Sequence, residues 1–360
     1  MRRGIVHLPL HYGKAPAWLF GRMTALAREI TRALVIEFSP EEVLRRLSDP
    51  FWFQAFGCLL GFDWHSSGIT TTVCGALKEG LRGLEGETGI FCAGGKGRTS
   101  RQTPQEIEGH CDRLALEPAP LVYASRMAAK VDSSALQDGY QIYHHLFVFT
   151  AEGEWCVIQQ GMNTATRYAR RYHWLGEGVA DFCCEPHAAI CCDARGEVLN
   201  MVAEESQAAR EGVAALASEE PKRIIAEATR IADLELPRRH HIIREDLNTR
   251  HLHKVLLQTY EQGPRDFEAV LGIAGVGPKT IRALSLMAEL IYGQAPSFQD
   301  PARYSFAHGG KDGHPYPVDL ETYDRTIDFL KKGLWAARVG QGEKLQAMKR
   351  LNTFLSGRKA

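Results

Sequence analysis

The sequence predicts an α+β fold, with a mixed α/β part at the N-terminus and an all-helical part at the C-terminus. Apolar residues recur at three- and four-residue spacings from Pro16 to Leu47, which is typical of amphipathic helices. The runs YHHLFVFT and EWCVIQQ, between Gln141 and Gln160, are rich in β-branched and aromatic residues and predict a β-hairpin. From Asn200 onward the sequence becomes rich in Ala and Glu and has a helical pattern.

The elements before the hairpin follow from local signals. Ser39-Pro40-Glu41-Glu42 supplies an N-cap, a first-turn proline and first-turn acids, so two helices are predicted before residue 48. The aromatic segment DPFWFQAFGCLLGFD predicts buried core, and the Ser/Gly turn after it leads into a further helix. A short apolar strand at Ile90 precedes the loop AGGKGRTSRQT, whose glycines would let main-chain amides approach an anion.

Length and composition limit the class of protein. The 360 residues exceed the ~100–150 residues usual for one domain, so two domains are predicted, 1–216 and 217–360. Hydrophobic residues make up 44% of the chain and charged residues 24%, which excludes global disorder. The 43 Lys and Arg residues balance 43 Asp and Glu residues, so any nucleic-acid site must come from local clustering. No apolar run reaches ~18 residues, so we expect a cytoplasmic protein without membrane contact.

The most specific pattern lies between Phe267 and Tyr292, FEAVLGIAGVGPKTIRALSLMAELIY. An apolar helix end, a glycine turn and a helix that opens at Pro278 resemble the helix-hairpin-helix class. That resemblance implies binding to the DNA backbone without sequence preference, because main-chain amides contact phosphate rather than base edges. Glycine-rich turns between helices also occur without a ligand. The predicted DNA-binding residues are Gly275, Val276, Gly277, Lys279 and Thr280, together with the basic residues Arg167, Arg170 and Arg171.

A wider resemblance covers most of the chain. The segments LPLHYGKAPAWLFGRM, LSDPFWFQAFGCLLGFDWHSSGITTTVCGALKEGL, GGKGRTSRQTPQEI, SRMAAKVDSSALQDGYQIYHH and DPARYSFAHGGKDGHPYPVDLETYD are similar to a prokaryotic family of proteins of unknown function, numbered 763. The resemblance implies a protein with a helix-hairpin-helix and a role in DNA repair, with nucleoid association, repair proteins as partners and a homodimer as further expectations.

The preferred hypothesis for the chemistry is a metal-dependent nuclease that cuts single-stranded, bubble or branched DNA. Phosphodiester cleavage needs a cation to stabilise developing charge and a group that activates water. Polar residues cluster within otherwise apolar segments, and each could instead be a cap, a turn residue or a hydrogen-bonded core residue. The candidate catalytic residues are Asp63, His65, Lys96, Asp132, Asp138, Gln141, His144 and Gln159. Asp138 and His144 are the candidate ligands of a divalent metal, Mg²⁺ or Mn²⁺. His144 and His145 are adjacent in a predicted strand and would point to opposite faces, so at most one of them can enter a given site.

Two other hypotheses stay open. In helix-hairpin-helix glycosylases a lysine after the turn attacks the sugar and a downstream aspartate assists. The matching residues here are Lys279 and Asp319, which could equally be a phosphate ligand and a helix cap. The third hypothesis is a DNA-binding protein without enzymatic activity, supported by the basic segment from Pro221 to Lys254.

Four of the nine cysteines form the adjacent pairs Cys183-Cys184 and Cys191-Cys192, with His187 between them. Adjacent cysteines rarely present both sulfur atoms to one tetrahedral ion, and the usual two-residue gap is missing. Buried reduced thiols are therefore favoured over zinc ligands.

Overall fold

A five-stranded antiparallel sheet separates two layers of helices in the computed structural model, which describes residues 15–62, 67–192, 195–232, 249–302 and 320–356. The strand order is β1-β3-β4-β5-β6, and β2 pairs with β7 in a separate ladder. The predicted α+β class and the predicted β-hairpin are confirmed. The strands are β1 (Ile90–Lys96), β2 (Leu136–Gln137), β3 (Gln141–Thr150), β4 (Trp155–Asn163), β5 (Tyr168–Leu175), β6 (Ala189–Cys191) and β7 (Leu199–Asn200).

Helices precede, interrupt and follow the sheet. They are α1 (Ala17–Glu37), α2 (Pro40–Ser48), α3 (Pro50–Leu60), α4 (Gly68–Leu81), α5 (Glu85–Thr88), α6 (Thr103–Leu114), α7 (Pro118–Lys130), α8 (Gln207–Ala217), α9 (Pro221–Ala232), α10 (Thr249–Gln262), α11 (Phe267–Gly272), α12 (Pro278–Tyr292), α13 (Leu320–Ala336) and α14 (Gln341–Ser356).

Side-chain caps set the starts of α2 and α3. The Ser39 hydroxyl accepts a hydrogen bond from the Glu42 amide at 3.2 Å, as the sequence predicts. The Asp49 carboxylate accepts from the Phe51 amide at 2.8 Å, and a proline follows each cap at the first helical position. The aromatic segment after Asp49 is therefore a helix, and nearly all of its residues are buried.

Each face of the sheet packs against its own hydrophobic core. We call the face that carries Phe147, Phe149 and Trp174 the hairpin face, because α7, α11 and α12 share its core. The opposite face carries Leu146 and Val148 and packs against α1–α4. We call it the N-terminal face.

The helices after residue 217 divide between the two faces. Among the described residues, α9 to α12 contribute to the core of the hairpin face, whereas α13 and α14 contribute to the core of the N-terminal face. The predicted boundary at 216/217 falls between α8 and α9, which both belong to the core of the hairpin face. The two predicted parts therefore share their cores.

Candidate functional site

Two rows of polar side chains cross the sheet, one on each face. Consecutive strand residues point to opposite faces, so the pairs His144-His145 and Gln159-Gln160 each place one side chain on each face. The register brings them level, with His145 opposite Gln159 and His144 opposite Gln160. All four side chains are buried. The prediction that the two adjacent histidines cannot enter the same site is therefore confirmed.

On the hairpin face, the carboxylate of Asp132 has three hydrogen-bond partners. Its Oδ2 accepts from Gln159 Nε2 at 2.5 Å and from Trp174 Nε1 at 3.0 Å, and its Oδ1 lies 2.5 Å from His187 Nε2. Asp132 is placed by a π-helical turn, Val131–Ala135, and single π-turns are frequent at functional sites. Its side chain is fully buried, so these bonds replace the water that the carboxylate loses on folding.

The network continues from Asp132 to α7 in one direction. Since Gln159 Nε2 donates to Asp132, its Oε1 accepts, and it lies 2.9 Å from His145 Nδ1. The proton of His145 is therefore on Nδ1, which leaves Nε2 to accept from the Ser125 hydroxyl at 2.9 Å. Burial lowers the pKa of His145, so the ring is neutral near pH 7. Ser125, His145, Gln159 and Asp132 thus form a chain of donors and acceptors.

In the other direction, the network ends at His187, which lies beside a small cavity. The cavity has a volume of about 30 Å³, and its polar lining includes Glu185, His187 and Asn200. Such a volume holds about two water molecules. His187 therefore joins the buried carboxylate of Asp132 to a space that water can occupy.

Asp138 and Arg170 form a buried ion pair near the same face. Arg170 Nη1 lies 3.0 Å from Asp138 Oδ2, and its Nη2 lies 2.7 Å from Asp300 Oδ2. Tyr172 donates its hydroxyl to Asp138 Oδ2 at 2.6 Å. Burial raises the pKa of Asp138, and the charge of Arg170 opposes that shift. Arg170 is therefore on a strand and inside the protein, so its prediction as a DNA contact is wrong for this conformation.

The N-terminal face carries the second row. Burial lowers the pKa of His144 to about 3, and among the described residues neither ring nitrogen has a hydrogen-bond partner. Arg171 is fully buried and donates from Nη1 to Gln54 Oε1 at 3.2 Å, so it does not reach DNA either. His144 lies on the face opposite to Tyr172 and its partner Asp138. Asp138 and His144 therefore cannot bind the same metal ion, and that prediction is wrong.

The other predicted catalytic residues that the structure describes do not lie together at one site. Lys96 is exposed, and its ammonium lies 5.8 Å from the ring centre of Tyr143. Gln141 is exposed at the start of β3, and Arg167 is exposed in the turn between β4 and β5. Two further candidates, Asp63 and His65, lie outside the described residues.

The predicted helices and glycine turn are present between Phe267 and Tyr292. α11 ends at Gly272, and α12 begins at Pro278, with Gly277 as its N-cap. Gly275 has a φ of +87°, a conformation that glycine adopts without strain. Val276 is buried, and Lys279 is exposed. Thr280 is also buried, so its prediction as a DNA-binding side chain is wrong in this conformation.

Side chains of α7 and β2 form hydrogen bonds with this turn and with the start of α12. Lys130 Nζ donates to the carbonyl oxygen of Val276 at 2.6 Å. Gln137 Nε2 donates to the carbonyl oxygen of Pro278 at 2.9 Å, and Gln137 Oε1 accepts from Arg282 Nε at 2.9 Å. The turn and the start of α12 are thus attached to α7 and β2 by hydrogen bonds on both sides of Gly277.

A comparison with known protein families identifies the family of this chain. Residues 4–318 match the family described as "Protein of unknown function (DUF763)". The chain belongs to this family. No curated protein and no solved structure matches it. Membership of the DUF763 family confirms the resemblance found in the sequence, while assignment of the turn to the DNA-binding helix-hairpin-helix class stays a prediction.

Three residues of the candidate site in this DUF763 protein were not predicted from its sequence. Ser125 gives no signal within α7, and Trp174 is indistinguishable from an ordinary core residue. His187 was considered only as a companion of the cysteine pairs. None of the nine cysteines is paired in a disulfide. Within the described parts of the chain, no helix has the length and apolar character needed to cross a membrane.

Proposed function

We propose that this protein binds the backbone of DNA without sequence preference, through the turn 273–277 and the first turn of α12. One observation carries the proposal. Gly277 is the N-cap of a 15-residue helix and has no side chain to cap it, and a Cβ atom at Gly277 would meet nothing within 4 Å. As far as the described residues show, the start of α12 is therefore open to a ligand.

The physical properties of that helix end suit a phosphate group. The first amides of a helix have no intrahelical partner and carry a partial positive charge. Gly277 leaves room for a phosphate oxygen to approach these amides, and Pro278 fills a position where an amide is not needed. Because such contacts reach phosphates and not base edges, they bind any DNA sequence.

Nearby cations add attraction. Lys279 is exposed in the first turn of α12, and Lys254 is exposed on α10. α10 lies beside the turn, because a Cβ atom on Gly275 would be 3.7 Å from Val255 Cγ2. Since the whole chain has no net charge, local cations of this kind have to provide the electrostatic part of the affinity. Binding of this kind would place the protein with the nucleoid.

The test is Gly277→Glu, which puts a carboxylate where the phosphate is proposed to lie. We expect its DNA affinity to fall about tenfold or more at low salt, equally for unrelated sequences, in fluorescence anisotropy titrations. Gly342→Glu is the matched control. It adds the same charge in the first turn of α14, also with nothing within 4 Å, and should bind like the wild type. Equal binding by all three proteins would disprove the role of the turn.

A second candidate function is hydrolysis of the phosphodiester bond, and the pair Asp132-His187 beside the small cavity favours it. A carboxylate-oriented imidazole can take a proton from water. A divalent cation, Mg²⁺ or Mn²⁺, would stabilise the charge that develops on the phosphate. Since the cavity admits water and no nucleotide, the phosphate would lie at its mouth.

Cleavage is tested with end-labelled single-stranded, duplex, bubble, branched and abasic DNA in Mg²⁺, Mn²⁺ or EDTA. Metal-dependent cuts in undamaged DNA that disappear in His187→Asn would support hydrolysis. Cuts only at damaged sites that persist in EDTA and are trapped by borohydride on Lys279 would instead support a glycosylase/lyase, whose second residue, Asp319, lies outside the described residues. Binding without cleavage would leave a DNA-binding protein.

A further inference from the structure

A cluster of three potential metal ligands lies between the sheet and α11. One oxygen each of Asp181 and Glu268 and the sulfur of Cys183 lie within 4.8 Å of one another. The three residues come from separate parts of the chain: two from the segment after β5, and Glu268 from the first turn of α11. The three potential ligand atoms therefore come together from parts of the chain that are distant in the sequence.

The thiol of Cys183 is the observation that points to a ligand. Its residue is 3% exposed, and among the described residues its sulfur has no hydrogen-bond partner, although it lies close to two carboxylates. A cation between the three groups would be attracted to both carboxylates and would favour the thiolate form of Cys183.

The neighbours of the cluster hold its members in place. Tyr123 donates its hydroxyl to Glu268 Oε1, which leaves the other oxygen of that carboxylate available. Asp181 Oδ1 accepts from the Cys183 amide at 2.6 Å, which fixes the loop. Phe182, between them, stacks on the ring of Trp155 with the ring centres 6.0 Å apart. Partners of this kind orient the ligands of protein metal sites.

We propose that Asp181, Cys183 and Glu268 bind one zinc ion, with water as the fourth ligand on the exposed side of Asp181. One thiolate and two carboxylates suit Zn²⁺, which accepts both sulfur and oxygen at tetrahedral positions. The Cys183 thiol loses its proton to solvent when the Zn–S bond forms, so binding releases one proton. The ion joins the loop after β5 to α11, the first helix of the proposed DNA-binding hairpin. The site does not depend on DNA binding.

The test replaces zinc by Co²⁺, because a cobalt–thiolate bond gives a charge-transfer absorption band. Metal-free full-length protein should bind one Co²⁺ per chain with this band, and Zn²⁺ should remove it. The band should be lost in Cys183→Ser and kept in Cys184→Ser, which changes the adjacent cysteine outside the cluster. Absence of the band in the wild type, or a band that persists in Cys183→Ser, would overturn the proposal.

A second measurement separates lost ligands from lost structure. Glu268→Gln keeps an oxygen acceptor for Tyr123, so it should fold like the wild type but bind Co²⁺ at least about tenfold more weakly. Saturating Zn²⁺ should raise the Tm of the wild type, because it binds the native state, and should raise the Tm of Glu268→Gln less. An equal shift in both proteins would contradict the assignment of Glu268 as a ligand.

Discussion

Lys130 lies under the proposed DNA-binding turn and donates its ammonium group to the carbonyl oxygen of Val276 at 2.6 Å. Lys130 is the last residue of α7, and Val276 directly precedes Gly277. Burial lowers the pKa of Lys130. The bond thus holds the main chain of the turn directly beside Gly277.

Lys130→Met should weaken DNA binding without removing any residue from the proposed interface. The Val276 carbonyl loses its partner, so the turn becomes less well fixed and the unfolding free energy falls by about 1–3 kcal/mol. We expect about tenfold weaker DNA binding, equivalent to ~1.4 kcal/mol. Urea denaturation and anisotropy titrations measure the two effects. Arg126→Met, which removes an exposed cation from the same helix, is the control. The same loss in both variants would mean that charge alone, and not the bond to the turn, matters.

Local signals in the sequence were enough to predict many of the elements. The caps at Ser39 and Asp49 act on amides two or three residues away, so the relevant residues are neighbours in the sequence as well. The alternation of strand residues likewise predicted that His144 and His145 lie on opposite faces. The glycine turn before Pro278 was predicted for the same reason. The left-handed backbone conformation of the turn and the glycine that adopts it are at the same position, Gly275.

The candidate site could not be predicted in this way, because its contacts join distant parts of the chain. Arg170 and Arg171 looked like DNA contacts, since nothing near them in the sequence shows that Asp300 pairs with Arg170 in the interior. The position of Gln159 between His145 and Asp132 depends on strand register and on a π-turn, and neither has a local signal. Thr280 follows Lys279 directly, but helical geometry turns its side chain inward.

Gln159→Leu should destabilise the protein strongly, because Gln159 is the link between His145 and Asp132. The substitution leaves a buried imidazole and a buried carboxylate each without one hydrogen bond, so we expect a loss of about 2–4 kcal/mol in unfolding free energy. Gln141→Leu, at an exposed position of β3, is the matched control and should change stability by less than about 0.5 kcal/mol. Similar urea midpoints for both variants would show that the network contributes nothing to stability.

The buried histidines should make the protein sensitive to mild acid. Burial lowers the pKa of His144 to about 3 and also lowers the pKa values of His145 and His173. Between the unfolded value of ~6.5 and these folded values, the unfolded chain binds more protons, so stability falls as the pH falls. His144→Asn should reduce that slope by up to about 1.4 kcal/mol per pH unit below pH 6. The exposed His253→Gln is the control. If the wild type, His144→Asn and His253→Gln had equal slopes of stability against pH, buried His144 would not be a cause of the sensitivity to acid.

Substitution of Gly94 tests whether this glycine is needed for the packing of β1 against β3. Its φ is +91°, and a Cβ atom there would lie 2.3 Å from the His145 carbonyl oxygen. Gly94→Ala therefore combines backbone strain with a clash against β3, and we expect a loss of more than about 2 kcal/mol in urea denaturation. Gly97→Ala has a φ of +62° and open space around it, so it should cost only about 1 kcal/mol. Equal losses in the two variants would show that backbone strain alone acts at Gly94. A larger loss in Gly94→Ala would show that the close approach of β1 and β3 requires glycine at this position.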